Sequence, residues 1–344
     1  MVFENVSTYC LQNDSKESST LDLLLGGQKT RIHFASKRLR EAFAPALEHL
    51  TSPASTPESE IFFCEAKETL YQLPLFSDID SLGPHGSIPN LPPPCSGALQ
   101  PVSGVLSLYD SHNRQGFVVV RDVDALPNFE LAAPLRLMLG WLAANSNFSL
   151  AHAAAIANSE GAALLVGRGG SGKSTTSLAC LLNGFDFLGD DYVALTDQPL
   201  PTVWSLYRSA KVARPSLELH PTLNQFVKRG PTSEFDDKYL LDIGALSKQI
   251  NNGRGVIASA PLKAIILPRV TSESQTRILP TSAMAALRAL APSTVFQQSG
   301  FGAIALERLT QLARRIPAYE LLLGTDGKAP EQIASALSKQ ISNE

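Results

Sequence analysis

The sequence predicts an α/β fold in two parts, a larger core behind a smaller N-terminal α+β unit. Three observations lead there. A glycine-rich loop at 167–172 stands between a short apolar run, Ala163 to Val166, and a stretch of helical spacing from Lys173 to Leu182, which is strand, loop and helix in succession. A second apolar run, Phe185 to Gly189, follows at once and ends in two acids, Asp190 and Asp191. Upstream, GPHGSIPNLPPPCSGALQPVSG is too rich in Pro, Gly and Ser for regular hydrogen bonding, and it sets the boundary between an accessory unit at 1–103 and a core at 104–344.

Taken in order, the chain opens on a polar lead that the composition leaves frayed. Leu21 to Leu25 and Lys29 to Phe34 then flank Gly26-Gly27, a pair able to take the positive backbone angles of a tight hairpin turn. Ser36 is placed to cap a helix carrying Leu39, Phe43, Leu47 and Leu50, with Pro45 bending or ending it. Gly104 to Tyr109 and Gln115 to Arg121 read as a second hairpin around Asp110-Ser111-His112-Asn113, and Leu131 to Ala144 as one apolar helix. Beyond the glycine loop, Tyr192 to Leu195 continues as strand, Ala264 to Leu267 and Met284 to Leu290 give a further strand and helix, and Pro330 to Ile341 closes the chain as a helix.

Composition narrows the function classes. With 44% hydrophobic residues, 18% charged residues and 344 positions, the chain has enough apolar surface for a large core and is expected to be soluble and globular. Its formal charge of -3 offers no global positive field to gather nucleic acid or anionic lipid, so neither is an expected partner. Cys10, Cys64, Cys95 and Cys180 lie far apart without zinc-ligand spacing, which points to a reducing, cytoplasmic setting. The N-terminus has neither the basic start nor the apolar stretch of a secretory signal. The uncharged run from Leu137 to Ser159 is broken by Asn145-Ser146-Asn147 and reads as helix, turn and buried strand, not as a membrane span.

The loop itself, Gly167-Arg168-Gly169-Gly170-Ser171-Gly172-Lys173-Ser174, has the G-x-x-x-x-G-K-S spacing of a P-loop. Glycines let successive N–H groups curl around an anion, and the helix behind adds partial positive charge. Lys173 is expected to reach the β and γ phosphates of ATP, Ser174 to enter a magnesium shell, and Thr175 to follow them on the first turn. Asp190 and Asp191 end the next strand, where P-loop proteins keep the carboxylate that holds magnesium or orients the attacking group. An Asp-Asp turn closing a hairpin is the bland alternative. No Asn-Lys-x-Asp base reader follows the loop, which removes the guanine-specific GTPases. The Leu25-Gly26-Gly27-Gln28 echo of a transporter ATPase signature precedes the loop that such a signature must follow.

Taken together, LAHAAAIANSEGAALLVGRGGSGKSTTSLACLLNGFDFLGDDYVAL resembles the catalytic core of the HPr kinase/phosphorylase superfamily, and more closely the HPr-kinase-related serine kinases, some of which accompany lasso-peptide biosynthesis. A His before the core strand, the P-loop and a Gly-Asp-Asp after the next strand carry the resemblance. PNFELAAPLRLMLGWL, SLYRSAKV, PLKAIILPRV, LRALAPSTVFQ and IPAYELLLGTD extend it from about Asp122 to the C-terminus. It implies a core of the HPr kinase type, with Asp190 as the base for an acceptor hydroxyl, Lys173 on phosphate, Asp191 with Ser174 toward magnesium, and His152 beside the acidic pair. It further implies transfer of the ATP γ-phosphoryl group to a Ser hydroxyl of a peptide or small protein, such as a lasso-type precursor, and leaves room for a homo-oligomer. The C-terminal signature segment of true HPr kinases is absent, which points away from HPr itself and toward a narrower peptide acceptor. The competing reading is a switch module that binds ATP with slow or no transfer. Lys211 and Lys238 are secondary candidates for phosphate or acidic peptide, whereas Arg269, Arg277, Arg288 and Arg314-Arg315 read as surface.

Overall fold

A computed structural model describes residues 2–12, 18–66, 82–232, 236–251, 255–295 and 302–339. Among the described residues it is a mixed α/β chain built around three sheets. The first sheet has six strands in the order β1-β2-β3-β6-β5-β4. They are β1 (Ser19–Leu25), β2 (Gln28–Phe34), β3 (Ser59–Glu65), β4 (Cys95–Gln100), β5 (Val105–Asp110) and β6 (Gln115–Val120). Both hairpins form: Gly26 and Gly27 take φ of 57° and 85° at the first turn, and Asp110 Oδ1 accepts from the backbone N–H of His112 and Asn113 at the second. The β2–β3 and β3–β6 pairings are parallel.

This sheet is covered on both faces. Helix α2 (Lys37–Leu47) starts at Ser36, whose hydroxyl accepts from the Leu39 N–H, and it buries Leu39, Phe43 and Leu47 against Leu23, Ile32 and Phe63. Helix α1 (Val2–Gln12), where the sequence suggested a frayed lead, seats Val6 and Cys10 on Leu106, Leu108 and Phe117 of the other face. The boundary expected at 103/104 falls inside the β4–β5 hairpin, so that division is corrected: residues on both sides of it share one sheet. The Pro-rich stretch lowers regular structure locally, but Cys95–Gln100 still pairs over its whole length with Val105–Asp110. Position 81, at the head of the expected linker, lies outside the described residues.

The single helix expected at 131–144 is two, α3 (Asn128–Ala132) and α4 (Arg136–Ala144). Pro134 has no N–H to donate and disfavours helical angles at the residue before it, and Leu135 takes a left-handed φ of 65°. The chain then runs through β7 (Ser149–Ala151), β8 (Ala154–Asn158) and β9 (Gly161–Leu165), the helix α5 (Lys173–Leu182), and the strands β10 (Asp186–Gly189), β11 (Val193–Thr196) and β12 (Thr202–Ser205). The three-stranded sheet is β13 (Ser209–Val212), β15 (Tyr239–Asp242) and β14 (Val227–Arg229), with β13 and β14 on either side of β15. Helices α6 (Arg214–Leu219) and α7 (Ile243–Asn251) accompany it.

The long β16 (Ser259–Val270) is the spine of the largest sheet. It lies parallel to β9 and to β18 (Ala318–Leu323), which pairs in turn with β17 (Arg277–Thr281). Helices α8 (Ala283–Val295) and α9 (Gly302–Arg315) contribute Leu290, Leu309 and Leu312 to the cluster on one face. On the other face α10 (Ala329–Ser338) packs Ile333 and Leu337 with Cys180 of α5; residues 340–341 of the expected terminal helix lie outside the described residues. β9 is buried at all five positions, because α8 and α9 pack on one face of its sheet and α5 and α10 on the other. Among the described residues no helix is long and apolar enough to cross a membrane.

Candidate functional site

Strand direction gathers the candidate residues. β8 runs antiparallel to β9, with Ala154 opposite Leu165, and β10 runs antiparallel to β8, with Gly189 opposite Ala155. Two reversals leave β9 and β10 pointing the same way, so both end where β8 begins. The loop 166–172 leaves β9 at that edge, Asp190 and Asp191 leave β10 there, and His152 enters β8 there.

The loop's backbone requires its glycines. Gly167, Gly170 and Gly172 have φ of 146°, 77° and 102°. At Gly172 a Cβ would also meet Leu323 Cδ1 at 2.6 Å, whereas at Gly169 and Gly170 it would project into open space. The Ser171 hydroxyl oxygen is buried and has no hydrogen-bond partner among the described residues. A glycine-lined hollow with an unspent hydroxyl at the head of a helix fits an anion such as a phosphate. The Lys173 ammonium group donates to Gly167 O at 2.6 Å and Arg168 O at 3.2 Å, folding back along its own loop. Burial lowers its pKa from the ordinary lysine value, opposed by the charges of Asp190 and Asp191. Arg168 is exposed. Thr175 faces the other way, its hydroxyl 2.9 Å from that of Ser216.

The two aspartates occupy different surroundings. Asp190 is only 4% exposed; its carboxylate accepts a hydrogen bond from the side chain of Ser174 and lies 3.5 Å from the Ser177 hydroxyl. Burial, and then the neighbouring charge of Asp191, push its pKa up to about 6. Asp191 meets His152 Nε2 at 2.9 Å through Oδ1 and the Lys211 ammonium at 2.9 Å through Oδ2. Burial would raise Asp191, but the hydrogen bond with His152 and the charge of Lys211 hold it well below the usual carboxylate range. The His152 ring stacks on Tyr192 with centroids 5.1 Å apart.

The carboxylate beside Ser174 is Asp190, while the two oxygens of Asp191 meet His152 and Lys211. The turn after β10 sets which acid faces the loop. Ser174 and Asp190 are the oxygen donors a magnesium ion would meet at this loop. Two protein oxygens are a sufficient share for magnesium, which takes the rest of its shell from phosphate and water. Among the described residues no group of three or more His, Cys, Asp or Glu side chains forms a metal cluster.

Of the secondary candidates, Lys211 joins the site through Asp191, and Lys238 acts on Asp190 and Lys173 through charge alone. Arg269 and Arg277 pair with Glu320 and Glu273 on the surface, Arg288 is exposed, and Arg315 donates to Asp197 O. Two groups were missed from sequence. The Asn128 backbone N–H donates to Asp236 Oδ2 at 2.6 Å, and its side-chain amide donates to Gly230 O and Lys238 O, tying α3 to the segment that carries Lys238. Arg136 stands beside Tyr192 and Gln100, and buried Glu130 accepts from the Ser103 hydroxyl at 2.9 Å. Single polar residues inside apolar helices give no periodic signal that could have marked them.

No family model matches this chain, and no curated relative matches it. Among solved structures, the Hpr(Ser) kinase/phosphatase from Coxiella burnetii is a distant likeness, at 10% sequence identity and a TM-score of 0.32 over 57% of this chain and 92% of that one. An overlap that low carries no inference about the site.

Proposed function

We propose that this chain is an ATP- and magnesium-dependent kinase that transfers a γ-phosphoryl group to a hydroxyl, a serine of a peptide or small protein. The observation that carries the reading is the meeting, at one sheet edge, of a glycine-lined anion hollow with Lys173 and a buried carboxylate whose pKa is pushed up to about 6. A base near that value is mostly ionised at neutral pH yet still binds a proton firmly enough to accept one in the transition state. Asp190 takes the acceptor proton, the acceptor oxygen bonds to the γ-phosphorus, and the bond to the β–γ bridging oxygen breaks, releasing ADP. Lys173 and the loop N–H groups bind and orient the phosphates; a magnesium ion held at Ser174, with Asp190 reaching it through water, would offset their charge. Asp191 fixes His152 and Lys211 and, by its own charge, keeps Asp190 basic.

The test is incubation of the chain with MgATP and serine-containing peptides, read by mass spectrometry for the gain of one phosphoryl group. Transfer by the natural chain and none by Lys173→Ala, at an unchanged melting temperature without ligand, is the expected result. Nucleotide binding without transfer to any hydroxyl would favour the switch module instead.

A further inference from the structure

Beside the acidic pair lies a pocket of about 350 Å³ that joins the first sheet to the core. One wall is the β4–β5 turn with Gln100 and Val102, the opposite wall is Asp191 with Lys211, and Phe129 and Arg136 come from α3 and α4. Its charges are unevenly spent. Lys211 is paired with Asp191 at 2.9 Å. Arg136 has no carboxylate within ion-pair distance among the described residues; its partners are the Tyr192 hydroxyl and, at 3.5 Å, the Gln100 amide oxygen. The acid that acts on it through charge, Glu130, is buried, and burial raises its pKa and disfavours the charge that would neutralise Arg136. The pocket therefore presents one guanidinium held by neutral partners, next to apolar surface from Val102 and Phe129, and it is contiguous with the carboxylate pair.

We propose that this pocket receives the phosphoryl acceptor, and that the acceptor carries a carboxylate next to its hydroxyl, bound by Arg136. The proposal rests on the kinase reading for the word acceptor, but its binding claim does not. A planar guanidinium held by hydrogen bonds matches a carboxylate in a way that a mobile lysine does not. A carboxylate beside a hydroxyl occurs both in a Ser-Asp peptide and in a free hydroxy acid. The β4–β5 turn makes the N-terminal sheet part of the recognition surface, since Val102 is 67% exposed at its tip.

The experiment is fluorescence anisotropy on the full chain without nucleotide. It uses two fluorescein-labelled octapeptides, identical but for Asp or Lys after a single Ser, and D-glycerate as competitor. One charge-assisted contact predicts about tenfold tighter binding of the Asp peptide. Arg136→Gln should erase that preference and Arg136→Lys keep part of it. Val102→Asp at the exposed tip should weaken, and Val102→Lys strengthen, binding of the Asp peptide, which reads the pocket even where Arg136→Gln disturbs folding. A preference for the Asp peptide assigns the carboxylate to peptide acceptors; equal peptides with competition by D-glycerate assign it to a small hydroxy acid. Equal peptides without competition, or a preference that survives both the Arg136→Gln and Val102→Asp changes, overturn the proposal. Selective binding by a chain that transfers no phosphoryl group would sink the kinase reading and leave the pocket standing. Transfer to both peptides with equal efficiency would do the reverse.

Discussion

Replacing Asp190 by Asn separates a strained catalytic acid from a turn-forming one. The carboxylate is raised from the ordinary 3.8 to about 6. At ~1.4 kcal/mol per pH unit, its ionised form costs the folded chain about 3 kcal/mol relative to the unfolded one. The sign follows from the direction of the shift. The folded state binds this proton more tightly, so the cost is full above pH 6, shrinks as pH falls through 6, and is gone below the unfolded value near 4. Asn keeps the size and can still meet Ser174 and Ser177, giving up about 1 kcal/mol of charge-assisted bonding. Asp190→Asn should therefore be more stable than the natural chain by about 1–2 kcal/mol at pH 8, with the gain lost near pH 5. Urea unfolding at the two pH values measures it. Turnover should fall by about 10²- to 10⁴-fold, the usual share of a general base. If the variant is instead less stable by the same amount at both pH values, the carboxylate is a structural cap and the base assignment fails.

Asp191→Asn leaves Lys211 and His152 without their anion and removes the like charge that helps raise Asp190, so the acidic limb of the pH–rate profile near 6 should move to lower pH. Its melting temperature should drop by several degrees, for a loss of about 2 kcal/mol in a partly buried pair; an unmoved limb would mean that the two acids do not communicate. A fragment of residues 104–344 removes β1 to β4 and bares Phe117 and Val119 along β6, so it should show no cooperative thermal transition in calorimetry. A transition like that of the full chain would restore the separable accessory domain.

What the sequence made legible is what short-range chemistry decides. The loop and α5 follow from glycine spacing and a helical run, and the two hairpins from Gly26-Gly27 and from the Asp110 side chain closing its own turn. Pro134 also carried its signal, since a proline at the fourth position of the apolar run from Leu131 leaves the first helix ending two residues before it. Pairing between distant segments left no such mark. Composition at 83–104 reports poor local hydrogen bonding, but nothing in it says that β3 lies between β2 and β6 or that β4 closes the same sheet. Helix α1 was hidden because its docking residues Phe3, Val6, Tyr9 and Cys10 are interleaved with polar Glu4, Asn5, Ser7 and Thr8. In the site, the order of the three motifs was readable, but an Asp-Asp dipeptide does not say which acid turns toward the loop.

The packing gives the N-terminal sheet a place in the site rather than a tether to it. The first hairpin turn lies so close to the core that a Cβ on Gly26 would stand 2.8 Å from the Phe148 ring, and Gly27 faces Trp204. One continuous apolar cluster runs from Leu23, Ile32 and Phe63 of that sheet through Met138 and Trp141 of α4 to Tyr192 and Tyr207. Tyr192 is the residue after Asp191 and the platform under His152, so the ring that orients the histidine is itself held by side chains from the first sheet. Arg208, three positions before Lys211, donates to Pro45 O at 2.6 Å and to Glu48 at 2.7 Å, tying the strand of Lys211 to the end of α2. Both partners of Asp191 are thus positioned through contacts with the N-terminal sheet and its helix. Asp190 and the glycine loop, by contrast, are placed by the ends of β10 and β9, by α5 and by Leu323 of β18. The proposed phosphate side of the site therefore lies on the large sheet, and the proposed acceptor pocket lies at the seam between the two sheets.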